Sequence, residues 1–224
     1  MIPKIIHYLW FGDVAKKPID RISSWKKILS DFEFKEWGES NLDIDKYEAS
    51  RRMYDAKRYG PASDSLRIDI LAEEGGIWLD TDIIIHRDLS DFLPYSFFIG
   101  HNGFNFSVGL IGAEPHHPYI LKVREWYENN WSRCMFTVEE FKKKSFDTFF
   151  LANYSSILER VFKQRYKCVL DGKSKTLDTK DGLIRVENST VFTFKKDSNP
   201  NCYAEHLYEG TWLSNNRLYQ KTRK

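Results

Sequence analysis

The 224-residue sequence predicts an α/β layered fold, a sheet with helices packed on it, on three observations. Short β-rich apolar runs alternate with segments of helical periodicity through the first third of the chain, which is the strand–helix–strand order of such folds. A helix-like segment runs through Gly75-Gly76 straight into the apolar run IWLDTDIII. Hydrophobic residues make up 42% of the chain, enough for a sizeable core, and charged residues at 29% are ordinary for a folded surface.

The elements follow in order. KIIHYLWF (Lys4–Phe11) is a short apolar run closed by Gly-Asp, the pattern of a buried first strand. Pro18 opens a helix in which Ile19, Ile22, Trp25, Ile28 and Leu29 recur at helical spacing. FEFKEW (Phe32–Trp37) alternates as a second strand, and Gly38 to Asn41 breaks it. Asp43 to Arg58 reads as a polar helix ending before Gly60-Pro61. ASDSLRIDILAEEGG reads as a helix with Ser63 or Asp64 near its N-cap, Leu66, Ile70 and Leu71 on one face, and the double glycine as its stop. IWLDTDIII is then one strand, and SFFIGHN and FNFSVGLIGAE are two more. HHPYILKVREWYENNW and FDTFFLANYSSILERVFKQR read as helices, with His116 and His117 as a cap and a surface residue. LIRVENSTVFTF reads as strand-like in pieces. No repeat, low-complexity tract or linker interrupts the chain, so residues 1–224 are expected to form a single domain.

Bulk composition narrows the function. A net charge of +2 gives no basic footprint for nucleic acid. Aromatic residues reach 16%, a share that fits both a core and a site stacking flat or sugar-like ligands. Cys134, Cys168 and Cys202 form no CxxC pair and no disulfide framework, which points to a reducing cytoplasm. The N-terminal MIPKIIHYLWFGD lacks the form of a secretion signal, and no window reaches the roughly 20 apolar residues of a membrane span. Lys142–Lys144 and the basic tail NNRLYQKTRK are solvated surface, or a face that rests on an anionic inner membrane leaflet.

The chemistry centres on Asp80 and Asp82. Two carboxylates two apart on a strand share a face and repel unless a cation lies between them or one stays protonated. A hard divalent ion, Mn2+ or Mg2+, takes such oxygens and keeps places for phosphate oxygens of a substrate. Asp64 and Arg67, three apart on one helix face, add a carboxylate for sugar hydroxyls and a cationic fork for phosphate. Taken alone, that second pair is equally a helix cap and a surface ion pair.

Together, SDSLRIDILAEEGGIWLDTD and the opening IPKIIHYLWFG resemble the DXD-containing sugar-binding region of family 32 glycosyltransferases over about the first 115 residues. The resemblance implies a GT-A type nucleotide-diphospho-sugar transferase fold, with helices flanking a mostly parallel central sheet. It places His7, Tyr8 and Trp10 at the nucleobase, Asp64 and Arg67 on the donor sugar, and Trp78 at the aromatic position before the motif. Asp80 would meet the ribose or donor sugar and help fix the metal, and Asp82 would bind it directly. Asn105 or Ser107 would face the donor sugar or acceptor, with Gly109 and Gly112 allowing close backbone approach. AEHLYEGTW is similar to the family's closing histidine–glycine–tryptophan pattern, which makes His206 a third metal ligand and Trp212 a donor to the diphosphate. Between Thr137 and Ser156 the chain lacks the Thr-Gly-Pro-like turn of many relatives, so the resemblance leaves the acceptor open.

The implied activity is a retaining, metal-dependent transfer of a hexosyl group from a nucleotide sugar, UDP-linked first and GDP-linked second. The acceptor would be a glycan or lipid-linked saccharide hydroxyl in surface polysaccharide synthesis. Two rivals share the motif. An aspartyl-phosphate-type phosphatase also places Asp-x-Asp after an apolar strand, but Ile84 stands where it expects Thr or Val. A non-catalytic nucleotide-sugar-binding module would bind donor without hydrolysing it.

Overall fold

The computed structural model describes residues 1–11, 13–134, 154–192 and 200–209. Its centre is a seven-stranded sheet in the order β2-β1-β3-β6-β5-β8-β7. The strands are β1 (Ile5–Leu9), β2 (Glu33–Trp37), β3 (Gly76–Leu79), β5 (Phe97–His101), β6 (Phe106–Ala113), β7 (Lys175–Thr179) and β8 (Gly182–Asn188). β1 is parallel to β2 and β3, and β5 is parallel to β8, while β6 and β7 run against their neighbours. Most strands therefore point one way, with β6 reversed in the middle of the sheet.

Alternation along the strands divides the core between two faces. Trp78, Phe97, Ile111, Ile184 and Val186 pack on one side with Leu66, Ile70 and Phe162. Ile6, Ile77, Phe98 and Leu110 pack on the other with Trp25 and Phe192. The first face is covered by α2 (Glu48–Asp55), α3 (Tyr59–Glu74), α4 (Pro118–Asn130) and α5 (Tyr154–Tyr166). The second is covered by α1 (Ile19–Ile28), the four-residue α6 (Ser189–Phe192) and a small antiparallel sheet of β4 (Ile83–Ile85) and β9 (Ala204–His206).

Several elements depart from the sequence reading. The helix expected over residues 43–58 is a 3-10 turn at Ile44–Lys46 followed by α2. Helix α3 begins at Tyr59 rather than at Ser63 or Asp64. Its first internal bond is Ala62 N–H to the Arg58 carbonyl at 2.9 Å, so Pro61 sits where no N–H is required. Asp64 is consequently one turn inside the helix and caps nothing. The run IWLDTDIII is two strands, because the chain turns between Leu79 and Ile83. Of the strand-like pieces expected over 183–194, the first is β8, which ends at Asn188, and a short helix follows it. The helix over 146–165 is described from Tyr154 onward, and its earlier part lies outside the described residues.

The double glycine meets its expectation. Gly75 ends α3 at φ 65°, and a Cβ there would lie 2.5 Å from the Pro115 nitrogen. Gly76 starts β3 at φ 96°, with Ile5 O 2.8 Å from where its Cβ would be. Only glycine fits both, and together they seat α3 directly against the strand that leads to the aspartates.

Candidate active site

The two aspartates sit in the turn between β3 and β4. Asp80 N–H donates to the Gly109 carbonyl of β6 at 2.8 Å, extending the sheet by one bond, and Ile83 N–H closes the turn on the Asp80 carbonyl at 3.0 Å. From there β4 leaves the main sheet and pairs with β9, with Ile83 opposite His206. That pairing carries a histidine from near the C-terminus to the motif. His206 Nε2 lies 3.0 Å from Asp82 Oδ1, and one ligand atom from each of Asp80, Asp82 and His206 falls within 4.8 Å of the others. Space for the imidazole comes from Gly109, whose added Cβ would stand 3.0 Å from His206 Cε1.

The donor set fits a divalent cation. Carboxylates suit Mg2+ and Mn2+, and an imidazole beside them favours the transition ion. Asp82 is held ionised. Burial opposes its charge, but His206 and the Glu209 N–H at 2.9 Å hold its carboxyl below the usual range. The His206 nitrogen that faces Asp82 is the one that would face an ion, so this contact and metal ligation are alternatives.

Arg67 organises the other half of the site. It is 4% exposed, and its fork reaches three groups. Nη2 donates to Asp64 Oδ1 at 2.8 Å and lies 3.1 Å from Asp80 Oδ1; Nη1 donates to the Val108 carbonyl at 2.7 Å and to Asp80 Oδ2 at 3.2 Å. Its guanidinium also lies 5.3 Å from the Trp78 ring and 4.9 Å from the Tyr154 ring. The two carboxylates keep it protonated despite burial. Trp78 Nε1 donates to Asp80 Oδ1 at 2.8 Å, so the aromatic before the motif orients the first aspartate as well as filling the core. Burial pushes the Asp64 carboxyl up to about 6 against the pull of Arg67, and the charge of Asp80 adds to the rise. Asp64 thus titrates near neutrality at the site's edge.

The remaining expected residues divide. Trp10 is half-buried just past β1, its indole N–H on the Asp13 carbonyl at 3.1 Å. Asn105 is half-buried and accepts from the Ser156 hydroxyl at 3.3 Å, and Ser107 is buried in β6. His7 and Tyr8 were expected at the nucleobase, but both are interior. His7 is fully buried, with Nδ1 accepting from the Trp37 indole at 3.1 Å and Nε2 facing the Gly75 carbonyl at 2.9 Å. Both ring nitrogens are used, and burial lowers its pKa to about 4, so it is a neutral brace under the double glycine. Tyr8 is 3% exposed on the opposite face, its hydroxyl on Glu36 at 3.0 Å. Alternation along β1 sends their side chains into the two cores. His117 caps α4 by accepting from Tyr119 N–H at 3.3 Å, as expected; it is buried, and His116 is the exposed one. Trp212, Lys142–Lys144 and the tail lie outside the described residues.

Sequence reasoning missed Tyr154. It is 5% exposed against Arg67, and its hydroxyl has no hydrogen-bond partner among the described residues. Nothing in its local sequence marks it apart from the apolar stripe of α5.

Residues 16–99 match the family described as "Glycosyltransferase sugar-binding region containing DXD motif". An uncharacterised glycosyltransferase of Acanthamoeba polyphaga mimivirus is 33% identical over 138 residues, which cover 54% of this chain and 55% of that protein. Inositol phosphoceramide mannosyltransferase 3 of Schizosaccharomyces pombe is 28% identical over 128 residues, 54% of this chain and 36% of its own length. The chain therefore spans about half or less of the curated relatives it matches. Among solved structures, PaToxG glycosyltransferase superposes with a TM-score of 0.54 at 17% identity, covering 74% of this chain and 70% of that one. The ligand-free glycosyltransferase domain of the YGT toxin gives 0.50 at 9% identity, covering 76% and 69%. These likenesses identify the mixed α/β sheet as a GT-A-like fold. The chain is thus a homologue of the glycosyltransferases it matches, and its residues 16–99 are similar to their DXD-containing sugar-binding region.

Proposed function

We propose that this chain is a metal-dependent hexosyltransferase that moves a sugar from a nucleotide diphosphate to an acceptor hydroxyl with retention of anomeric configuration. The observation that carries the reading is the convergence of Asp80, Asp82 and His206 ligand atoms within 4.8 Å, beside an Arg67 that already binds Asp80. Mn2+ or Mg2+ on those ligands would act as a Lewis acid on the leaving diphosphate, where negative charge develops. Arg67 and Trp78 fix Asp80, and Asp64 presents a carboxylate to sugar hydroxyls from the edge of the site. Trp10 is the remaining candidate to stack on the base, with UDP preferred and GDP second. A departing phosphate oxygen takes the acceptor's proton in a front-side displacement, so the mechanism needs no separate enzymic base.

The name of the fission-yeast relative, inositol phosphoceramide mannosyltransferase 3, supports a hexosyl donor and a hydroxyl on a lipid headgroup as one kind of acceptor; a glycan or lipid-linked saccharide hydroxyl is the wider class we propose. No helix among the described residues is long and apolar enough to cross a membrane. We place the enzyme in the cytoplasm, in peripheral contact with the inner membrane face through its basic segments, as a single unit over residues 1–224.

A panel of UDP- and GDP-hexoses with Mn2+, scored for released nucleotide, tests the reading. One donor should be hydrolysed slowly in the absence of acceptor, and Asp82→Asn should lose that activity at least a hundredfold while its unfolding midpoint stays within a few degrees. Turnover unchanged by chelator, or near-wild-type turnover in Asp82→Asn, would remove the metal from the mechanism.

A further inference from the structure

The Asp-Thr-Asp turn is gripped from outside by a residue that the proposed chemistry does not use. Arg21, in the first turn of α1, donates from Nη1 to the Thr81 carbonyl at 2.6 Å. The same guanidinium is bidentate on Glu209, with Nη2 to Oε1 at 2.6 Å and Nη1 to Oε2 at 3.2 Å. Glu209 in turn donates its backbone N–H to Asp82 Oδ2 at 2.9 Å, and Leu207 N–H donates to the Asp82 carbonyl at 3.0 Å. Between them Tyr208 sits at φ 52°, a left-handed conformation uncommon for an aromatic residue, with its ring stacked 4.0 Å from His206. Strain of this kind persists where the surroundings over-determine it. Here that strained turn aims Glu209 at Arg21.

The ligands of the cluster come from segments far apart in the sequence. Asp80 and Asp82 belong to the β3–β4 turn, and His206 ends a three-residue strand. Such a short ladder holds a side chain loosely by itself. Arg21 touches both segments at once, the peptide between the two aspartates and the carboxylate three residues beyond the histidine. We propose that Arg21 and Glu209 are positioning residues of the metal site, a clasp that holds the Asp-Thr-Asp turn and the His206 segment together so that their ligand atoms stay converged. The proposal rests on reading that cluster as a divalent-metal site.

The clasp stands at the solvent edge, with side-chain exposures of 18% for Arg21 and 35% for Glu209. Pairs so placed contribute modestly to global stability, a bidentate one more than a single contact. A clasp and a merely structural ion pair therefore predict different things. The test is titration of Mn2+ into the full chain by calorimetry, read beside the metal-free unfolding midpoint. Wild type should bind one Mn2+. Arg21→Gln should weaken that binding about tenfold, the scale on which outer-shell partners act, with the metal-free midpoint nearly unchanged. Glu209→Gln should weaken it less, because the Arg21–Thr81 contact survives. The double variant should match Arg21→Gln, since the two act as one unit. Arg21→Lys, which keeps one donor for the Thr81 carbonyl, should recover part of the affinity and stands in if Arg21→Gln folds poorly. Equal Mn2+ affinity in wild type, Arg21→Gln and Arg21→Lys would overturn the clasp and leave the metal site standing. A wild type that binds no Mn2+ would overturn the metal reading and the clasp with it.

Discussion

Replacing Arg67 by methionine tests the organisation of the site. The substitution keeps a long apolar stem under Trp78 and Tyr154 and removes the fork. Three groups lose their partner: Asp64 at 2.8 Å, Asp80 at 3.1 Å and the Val108 carbonyl at 2.7 Å. Removing one member of a buried charge cluster costs up to about 3–5 kcal/mol, and Asp64 and Asp80, with side-chain exposures of 28% and 23%, are only partly rehydrated when Arg67 is lost. With total stabilities of roughly 5–15 kcal/mol, the variant should still fold. The pH dependence gives the sharper signature. Asp64 already has its pKa raised to about 6 with the arginine present. Without the arginine the folded-state pKa rises further above the unfolded value, so the cost is complete above that pKa and fades as pH falls toward 4. Urea unfolding of both proteins at pH 8 and pH 5 should show a deficit of up to about 3–5 kcal/mol at pH 8 that shrinks at pH 5. Adding Asp64→Asn to the variant should restore part of the loss at pH 8. A deficit under about 1 kcal/mol at pH 8, the range of an exposed pair, would refute the view of Arg67 as the buried counter-ion of both carboxylates.

Two further outcomes follow from other parts of the molecule. Gly109→Ala places a Cβ 3.0 Å from His206 Cε1 and 3.1 Å from Ile83 Cδ1; it should displace the imidazole by a few tenths of an ångström and weaken Mn2+ binding, and calorimetric titration showing unchanged affinity would mean that the exact position of His206 does not matter to the ion. Asp69 is 6% exposed between α2, α3 and α4, and burial pushes its carboxyl up to about 7 although Ser50 donates to it at 3.0 Å. Its folded-state pKa lies above the unfolded one, so its charge costs stability progressively from about pH 4 to 7 and fully above that. Asp69→Asn keeps an acceptor for Ser50, and its stability advantage over wild type should grow between pH 5 and pH 8 by about 2–3 kcal/mol; a difference independent of pH would show that Asp69 is ionised throughout.

What the sequence determined by itself was local. Gly75-Gly76 after a helical stretch marked a tight helix-to-strand passage, because glycine is the residue that ends helices in left-handed angles. Asp64 and Arg67 had to share a helix face, since residues three apart do so by geometry alone. Asp80 and Asp82 pointed to a cation as neighbours on one strand face; the structure sets them in a turn instead, where their ligand atoms still come within 4.8 Å of each other. The periodicity of residues 4–37 likewise marked β1, α1 and β2 close to their observed bounds. The tertiary structure alone decided what depends on distant pairing. It broke IWLDTDIII after Leu79, because Asp80 N–H finds Gly109 on β6 while Ile83 finds its strand partner in β9. It turned His7 and Tyr8 into opposite cores, because β1 lies inside the sheet between β2 and β3 and is covered on both faces. It brought Tyr154 to Arg67 and His206 to Asp82 from far along the chain. Local sterics and charge are written in neighbouring residues, whereas the partner of a strand edge or a buried guanidinium is fixed only when the layers close.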